Sequence, residues 1–493
     1  MDTKVLSILP LLVLVPLLGT LFISLADRAH ARAISIVIGV LTFFMSFVSF
    51  VRADSDPNAF VQYTDLAWLP DLGVHFRFGA DGLVEWLVVL TSLLGLGALV
   101  CPTVIPDEKR KVYYGCILAL VGLLNGAFSA LDLVLFYLFF EACLLPVYFL
   151  IGIFGGPRRR ISAQKFLIYS VVGALCMLAS IIGVYSMAGT FDMAELREKG
   201  LTGEMATLLF AGFAISFAIK TPMFPLHTWQ ADAYSDTPTP VVAVVGGAMA
   251  KLGTYGFFRI CLGIFPVASA KYGFLICMVA AIGIVYAALI AAVQRDLKRV
   301  MAFSSVSHLG FIVLGLFSGT AQGSVGACAQ MINHGIIAGG LFFLLAFLEK
   351  RRGTLQIRLL GGLWDQMPVF SRIFLLFTLA SVALPLTNGF VGEFLTLLGA
   401  YSTYPAAAAI ATTGVIWSAV YMLGMYQKVF YGVATRPENQ ALSDIADGEG
   451  GLVAPLVVLI FLLGIYPQPL LVTMESAVTL NTAVTPNIME KTK

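Results

Sequence analysis

Four ionisable side chains lie well inside long apolar stretches of the sequence. They are Glu141 in LFYLFFEACLLPVYFL, Lys220 in FAISFAIKTPMFPLHTW, Lys251 in VVAVVGGAMAKLGTYGFF and Glu393 in LPLTNGFVGEFLTLL. A charge at the centre of a bilayer costs at least about 2.5–3.5 kcal/mol on insertion scales, and such residues usually mark an ion or proton pathway. Burial disfavours their charged forms and a nearby opposite charge favours them, so these groups can hold and release protons in turn.

This pattern predicts a proton relay. In the relay, Glu141 is the modulator, Lys220 the loading site, Lys251 the central relay and Glu393 the exit acid. The alternative is a static ion pair between Glu141 and Lys220 that ties two helices together. That alternative leaves Lys251 and Glu393 without an assigned partner.

Two histidines are candidate shuttles between these groups, because the imidazole pKa suits proton exchange. His334 in AQMINHGIIAGG lies in the middle of a predicted helix, where the alternative role is donation to a backbone carbonyl across a helix contact. His308 in RVMAFSSVSHLGF follows three serines that could line a wet path. His227 lies beyond Pro222 and Pro225, and we assign it an interfacial role.

The composition indicates an integral membrane protein. The 493 residues are 59% hydrophobic and 12% charged, whereas an ordinary globular domain carries about 25% charged residues. A net charge of +2 without a basic or acidic block gives no indication of nucleic-acid binding. The seven cysteines occur singly, and the sequence has no spacing typical of a zinc, haem, iron–sulfur or dinucleotide site. We therefore expect no cofactor and no metal in this chain.

The apolar runs predict an all-α protein of about fourteen transmembrane helices, since a bilayer core of about 30 Å needs roughly 20 apolar residues per helix. The predicted spans are 4–25, 31–51, 81–101, 111–129, 131–154, 162–188, 206–228, 237–261, 272–292, 299–318, 324–348, 368–399, 404–428 and 452–472.

The loops between these spans predict the orientation, because Lys and Arg gather on the cytoplasmic side. DRAHAR, PDEKRK, GGPRRRISAQK, QRDLKR, EKRRGTLQIR and the segment after Lys428 all fall on one side. The opposite loops, such as 52–80 and 189–205, are balanced or acidic. Both termini are therefore expected on the outer side, with a short hairpin formed by loop 52–80.

Two of the spans are interrupted near their middle. The seventh carries Pro222 and Pro225, and the twelfth carries LPLTNGFVGEF, with Pro385, Gly389 and Gly392. Proline removes a backbone donor and clashes with the preceding turn, so both helices should break. Paired interrupted helices in corresponding positions point to internal inverted repeats around a transport site.

The predicted organisation therefore has four parts. Three spans and the outer hairpin occupy residues 1–110. A first inverted repeat of spans 4–8 occupies 111–261, and a second of spans 9–13 occupies 272–430. The last span and a tail occupy 431–493.

Other charges receive simpler interpretations. Asp81, Glu85, Asp132 and Glu349 fall near the ends of spans, where interfacial placement costs little, and are interpreted as boundary residues. Arg259 follows Lys251 by two helical turns and is expected to snorkel outward.

The chain resembles the antiporter-like membrane subunits of proton-pumping NADH-quinone oxidoreductase (respiratory complex I), and among them the M type, which is chain 4 in mitochondria. The likeness runs through nearly the whole chain. It is carried by LFYLFFEACLLPVYFLIG, IKTPMFPLHTW, AKLGTYGFFR, RDLKRVMAFSSVSHLGF and NHGIIAGGLFFL.

The resemblance assigns the proton channel to four positions. In that family the channel is formed by the glutamate of the fifth span, the lysines of the broken seventh span and of the eighth, and the charged residue of the broken twelfth. Here these are Glu141, Lys220, Lys251 and Glu393. The L and N types and the Mrp antiporter subunits usually carry lysine at the last position, so the glutamate in VGEF favours the M type.

Two positions depart from the family pattern. The loop QADAYSDTPTPVV holds Tyr234 in place of the usual histidine and Asp236 in place of the usual glutamate. The fourth span is apolar around Val121, where relatives often hold a glutamate. A contact with a neighbouring subunit that depends on that carboxylate is therefore not carried over.

The resemblance implies a proton-translocating subunit that performs no redox chemistry itself. NAD, FMN, iron–sulfur clusters and quinone would belong to partner subunits, and L-type and N-type chains would flank this one in the membrane arm. The expected location is the plasma membrane of a bacterium, rather than an organelle. The alternative function is a stand-alone or Mrp-type cation/proton antiporter.

Overall fold

The computed structural model describes residues 7–52 and 60–482. Residues 4–6 of the first predicted span, 53–59 of the hairpin loop and 483–493 of the tail lie outside the described residues. The strands are β1 (Val61–Leu69) and β2 (Val74–Ala80). The α-helices are α1 (Leu9–Leu25), α2 (Ala31–Arg52), α3 (Gly82–Val100), α4 (Arg110–Ser129), α5 (Leu133–Ala142), α6 (Leu144–Phe154), α7 (Arg159–Ala188), α8 (Met193–Lys199), α9 (Glu204–Lys220), α10 (Gln230–Asp236), α11 (Thr239–Val244), α12 (Lys251–Gly256), α13 (Pro266–Ala292), α14 (Leu297–Leu316), α15 (Ala321–Arg352), α16 (Leu363–Gln366), α17 (Pro368–Ser381), α18 (Asn388–Thr403), α19 (Pro405–Phe430), α20 (Pro437–Gln440), α21 (Asp447–Ile465) and α22 (Gln468–Thr482).

Eleven helical segments in the described part of the chain are long and apolar enough to cross a membrane. One of these segments runs through both α5 and α6, and another runs from α11 to Leu262. The helices α1 and α17 are apolar but shorter. This confirms the helical membrane class. The three predicted spans that fall outside the eleven correspond to α1 and to the two interrupted segments.

Both predicted interruptions are present. The helix α9 ends at Lys220 and α10 begins at Gln230, while α17 ends at Ser381 and α18 begins at Asn388. A helix end leaves backbone carbonyls without partners. The Trp229 indole satisfies one of them by donating to the Ile219 carbonyl over 3.0 Å.

The second break carries backbone strain. Ala383 and Leu386 both adopt positive φ values, 56° and 74°. Residues other than glycine rarely occupy this region, and they remain there only where the surrounding structure holds them. The segment between α17 and α18 is therefore a fixed feature of the fold and does not form a continuous helix.

Three features of the helices were not predicted. The fifth span is split between α5 and α6, where Pro146 cannot donate to the carbonyl one turn earlier. The eighth span contains π-helical turns at Val245–Met249 and Phe257–Leu262. The last predicted span, 452–472, has wrong bounds, because α21 ends at Ile465 and the separate helix α22 follows Pro467.

The predicted hairpin is confirmed in the described residues, with β1 antiparallel to β2. Asp65 on β1 lies 2.6 Å from His75 Nδ1 and 2.9 Å from Arg77 Nη2. Partial burial acts to raise the pKa of the Asp65 carboxyl, but the bonds from His75 and Arg77 outweigh it and hold that pKa below its usual range. Arg77 also bonds to Asp192 over 2.6 Å, so the hairpin is tied to the start of α8.

Two short backbone bridges have the same form. Asp132 pairs with Asp192, and Asp296 pairs with Gln356. The two partners are separated by the same number of residues in both bridges. Asp132 also caps α5 by accepting backbone N–H groups in its first turn, and Asp296 caps α14 in the same way.

The two bridges lie at opposite ends of the bundle. Asp132 accepts the backbone N–H of His75 in the hairpin. From the hairpin end, α5 and α6 run across the bundle to Gly156 at the opposite end. The Gly156 N–H there donates to the Asp236 carbonyl. Lys298, next to the second bridge, donates to the neighbouring Thr237 carbonyl over 2.7 Å.

The helix α15 forms the centre of the bundle. It is buried along nearly its whole length and packs against α3, α11, α14, α17, α18, α21 and α22. The helix α22 closes the hairpin end, where Thr473 accepts from the Trp86 indole over 3.0 Å and Asn481 donates to the Phe258 carbonyl over 2.7 Å. Polar side chains on α15 are thereby surrounded by protein on all sides.

Candidate proton-transfer site

Lys251 is fully buried, with 0% of its surface exposed. It is the first residue of α12, one residue beyond the π-helical turn Val245–Met249. Its Nζ donates to the Gly246 carbonyl over 2.8 Å and lies 2.7 Å from His334 Nδ1. An ammonium group can only donate, so a charged Lys251 requires the His334 Nδ1 to accept. The π-turn therefore holds Lys251 against a titratable ring.

Glycines allow α15 to approach this turn. A Cβ atom at Gly335 would lie 2.7 Å from the Gly247 carbonyl oxygen, a backbone atom that cannot rotate away. A Cβ at Gly247 would lie 3.2 Å from the Gly335 carbonyl oxygen in return. The close packing of these two glycines places the adjacent His334 within hydrogen-bond distance of Lys251.

Glu393 forms a second hydrogen-bonded group. His308 Nδ1 on α14 lies 2.6 Å from Glu393 Oε1 on α18, and Gln330 Nε2 on α15 donates to the same oxygen over 3.0 Å. An ionised carboxylate only accepts, so Nδ1 is the donor in that state. All three side chains are almost fully buried, and together they connect α14, α15 and α18.

The Lys251–His334 pair and the Glu393–His308 pair approach one another at their histidine rings. The ring centroids of His308 and His334 lie 5.7 Å apart. A small cavity beside them is lined by the hydroxyl-bearing residues Ser304, Ser305 and Ser381. Two of the three serines before His308 therefore lie on this path, whereas Ser307 donates to the Ile284 carbonyl.

Lys220 and Glu141 lie apart from this path. Lys220 is the last residue of α9, and its Nζ lies 4.8 Å from the centroid of the Phe140 ring. Neither Lys220 Nζ nor Glu141 Oε1 has a hydrogen-bond partner among residues 7–52 and 60–482. The static ion pair that we considered as the alternative is therefore not formed in this structure.

Unpartnered polar groups surround the break after Lys220. Thr221 Oγ1, His227 Nδ1 and both amide atoms of Gln230 are buried and lack partners in the described part of the chain. Such groups are normally satisfied by water when they are buried. Gly253, two residues after Lys251, packs directly on Thr221. This polar region therefore borders both lysines.

Sequence reasoning missed Gln330, which holds Glu393. The signal was available, because Gln330 precedes His334 by four residues and such a pair shares one face of a helix.

The interpretation of Arg259 was wrong. Its guanidinium does not snorkel outward but is buried and forms an ion pair with Asp81. Asp81, Glu85 and Asp132 are likewise buried and do not lie at an exposed boundary. The hairpin and α22 cover this end of the bundle and exclude the solvent that a snorkelling side chain would reach.

The described residues contain no group of three or more His, Cys, Asp or Glu side chains that could hold a metal ion.

Residues 130–418 match the family described as NADH:quinone oxidoreductase/Mrp antiporter, transmembrane region. Subunit M of the NADH-quinone oxidoreductase of Rhodobacter capsulatus is 40% identical over 458 residues, which are 90% of this chain and 88% of that protein. The chain belongs to this family. All six predicted site residues, from Glu141 to Glu393, lie within the segment that matches the NADH:quinone oxidoreductase/Mrp antiporter family.

Solved structures of this family have the same fold. A chain of respiratory complex I from Thermus thermophilus, determined with bound NADH, matches with a TM-score of 0.88 at 33% identity, over 96% of this chain and 99% of that one. A chain of the Mrp complex from a Dietzia species matches with a TM-score of 0.85 over 98% and 99% of the two chains. The latter is only 22% identical, so that likeness concerns the fold alone.

Proposed function

We propose that this chain is the M-type, proton-translocating membrane subunit of a NADH-quinone oxidoreductase, and that protons move along Lys251, His334, His308 and Glu393. One observation carries the proposal. Two hydrogen-bonded pairs, Lys251 with His334 and Glu393 with His308, meet beside a small cavity that is lined in part by serine hydroxyl groups.

The chemistry of the path follows from its donors and acceptors. A proton leaving Lys251 Nζ is taken up by His334 Nδ1, and the ring then releases a proton from Nε2. His308 passes a proton from Nδ1 to Glu393 Oε1, to which it is already hydrogen-bonded. Arrival of the proton at an ionised Glu393 cancels a positive and a negative charge in the interior, where isolated ions are costly.

Lys220 is the loading site and Glu141 its modulator in this proposal. The absence of a direct bond between them in the described structure supports a pair that engages and separates. The polar region at Thr221, His227 and Gln230 connects the break after Lys220 with the helix that carries Lys251.

The chain is also proposed to have fourteen spans, with two inverted repeats over 111–261 and 272–430. The matching bridges Asp132–Asp192 and Asp296–Gln356 support the duplication, because they cap equivalent helices at the same offset. Their location at opposite ends of the bundle supports the inversion. Each repeat then contains one of the two broken helices.

The assembly and the location are part of the same proposal. L-type and N-type subunits flank the chain, and the NADH and quinone chemistry, with FMN and iron–sulfur clusters, takes place in other subunits. The membrane is the plasma membrane of a bacterium, with both termini and the hairpin outside. The clustering of Lys and Arg in the loops at the end away from the hairpin supports this orientation.

The test replaces Lys251 with Ala in the assembled complex in its native membrane. NADH-driven quinone reduction and proton uptake are measured together. We expect proton translocation to fall well below the wild-type value and quinone reduction to slow, because the two are coupled. Lys271→Ala is the control, since Lys271 is an exposed lysine on α13. Wild-type proton translocation in Lys251→Ala would overturn the relay.

The antiporter alternative predicts a different result. If deletion of the chain abolished Na+ extrusion and left NADH oxidation with its coupled proton translocation intact, the assignment to NADH-quinone oxidoreductase would fail.

A further inference from the structure

A second group of buried charges lies at the hairpin end of the bundle, outside the path described above. Asp81 caps the start of α3, and Glu85 follows it by one turn. Only 4% of Asp81 and 1% of Glu85 is exposed. The buried guanidinium of Arg259 pairs with Asp81.

Glu85 has neutral hydrogen-bond partners. The Ser49 hydroxyl lies 2.9 and 3.0 Å from the two Glu85 oxygens, and Gln62 Nε2 donates to Oε1 over 3.2 Å. Asp81 lies one turn before Glu85, at the start of the same helix. A carboxylate one turn away disfavours a second negative charge on Glu85.

The local charge balance favours a proton on Glu85. Asp81 and Arg259 neutralise one another, so an ionised Glu85 leaves a net negative charge in a region of low polarity. A proton on Glu85 removes that charge and keeps the hydrogen bonds, because a protonated carboxyl group can donate to the Ser49 hydroxyl.

Gln62 connects the hairpin with Glu85 through a hydrogen bond. Its φ of 54° lies in the left-handed region, and the register of β1 against β2 is irregular between Val61 and Thr64. The side chain is held by Ser49 Oγ over 2.6 Å and by the Ile8 N–H over 3.1 Å. Bulges and strained residues of this kind often aim a side chain into a functional site.

Arg259 links this cluster with the central lysine. Lys251, Tyr255 and Arg259 follow one another at one-turn intervals, so Arg259 lies about 12 Å along the helix from Lys251. Arg259 Nε donates to the Tyr255 hydroxyl over 3.3 Å, and that hydroxyl donates to the Phe128 carbonyl over 2.7 Å. Arg197, whose guanidinium lies over the same Phe60 ring as that of Arg259, donates to the Leu480 carbonyl over 2.8 Å.

We propose that Glu85 is a proton-binding site that exchanges with the hairpin surface past Gln62, and that its charge acts on Lys251 through Asp81 and Arg259. The last part rests on the proposed function. The proton binds to a Glu85 carboxylate oxygen and the Glu85 charge becomes zero. The cluster then loses its surplus negative charge, which favours release of a proton from Lys251. Coupling of this kind is reciprocal.

Infrared difference spectroscopy of the assembled complex between two pH values tests the site directly. Glu85→Gln keeps the shape and the hydrogen bonds of the side chain but cannot titrate. We expect the loss of one carboxyl C=O band in Glu85→Gln. A spectrum unchanged by Glu85→Gln would overturn the proposal. If Glu85→Gln fails to assemble, Glu85→Asp is used, and the band must shift in frequency, whereas an unshifted band would overturn the proposal.

The role of Gln62 is tested by transferring the complex to D2O. The rate at which the Glu85 C=O band shifts then measures how fast its proton exchanges. Gln62→Ala should speed the exchange several-fold, and Asp71→Asn, at the exposed hairpin tip, should leave it unchanged. Equal rates in Gln62→Ala and wild type would remove Gln62 from the proposal.

The coupling to Lys251 is tested by the pH profile of proton translocation. In Glu85→Gln the profile should move to lower pH, because the permanently neutral side chain disfavours the charged form of Lys251. If Glu85→Gln lost the carboxyl band but kept the wild-type pH profile, the coupling to Lys251 would be overturned. Glu85 would then be a proton site that does not act on Lys251. If Lys251→Ala translocated protons like the wild type while Glu85→Gln still lost the band, the proposed function would be overturned. The proton-binding site at Glu85 would stand.

Discussion

The imidazole rings of His308 and His334 lie 5.7 Å apart between centroids, and each is hydrogen-bonded to a different ionisable residue. The two rings do not hydrogen-bond to one another, so they join Lys251 to Glu393 through the small cavity beside them. His308 is thus as central to the path as His334.

The first prediction concerns His308. Replacement by Gln retains a polar side chain but removes the group that exchanges protons with Glu393. We expect proton translocation to slow by about 10²-fold, the lower end of what a positioned proton-transfer group contributes. The measurement is the initial rate of proton uptake driven by NADH. Ser307→Ala is the matched control, because Ser307 is adjacent but bonds to backbone on α13. Equal rates in His308→Gln and wild type would exclude His308 from the path.

The second prediction concerns the lack of a bond between Lys220 and Glu141. Removing one partner of a buried ion pair lowers the stability of a protein by about 3–5 kcal/mol. Removing both partners restores much of the lost stability. We expect instead that Glu141→Gln and Lys220→Met couple weakly, by about 0.5–1 kcal/mol, because the two charges act on one another without a direct bond. The free energy of unfolding of the two single variants and the double variant measures the coupling. The directly bonded pair Asp81 and Arg259 gives the contrasting case, in which Asp81→Asn and Arg259→Met should couple strongly.

The third prediction concerns the contact between Gly335 and Gly247. In Gly335→Ala the added methyl group would meet the Gly247 carbonyl, so α15 must move away from the π-turn. We expect a loss of about 1–3 kcal/mol in stability and slower proton translocation, since His334 moves with α15. Thermal unfolding and proton uptake are measured together. Gly152→Ala is the control, because a Cβ at Gly152 has no neighbour within 4 Å. Identical behaviour of the two variants would show that the glycine contact does not position His334.

The sequence was sufficient to predict the features that arise from single segments. Lys220, Lys251 and Glu393 stand out because each is a charge in an apolar run, and the breaks follow from proline and glycine. The hairpin was predicted within the single loop 52–80. Each of these signals is complete within about 20 residues.

Contacts between distant segments could not be predicted in this way. His308 and Glu393 are 85 residues apart, and Asp81 and Arg259 are 178 apart. Their pairing depends on how α14 packs on α18 and how the eighth span packs on α3. Arg259 was misinterpreted because its position near a span end suggests solvent, whereas the hairpin and α22 cover it.

The closure of the hairpin end by α22 has a consequence for biosynthesis. The Trp86 indole and the Phe258 carbonyl find their partners on residues that the ribosome adds long after both have entered the membrane. The first half of the bundle therefore cannot reach its final form while translation continues. Until α22 arrives, the nascent chain must keep these groups hydrated at the bilayer surface or shielded by the insertion machinery.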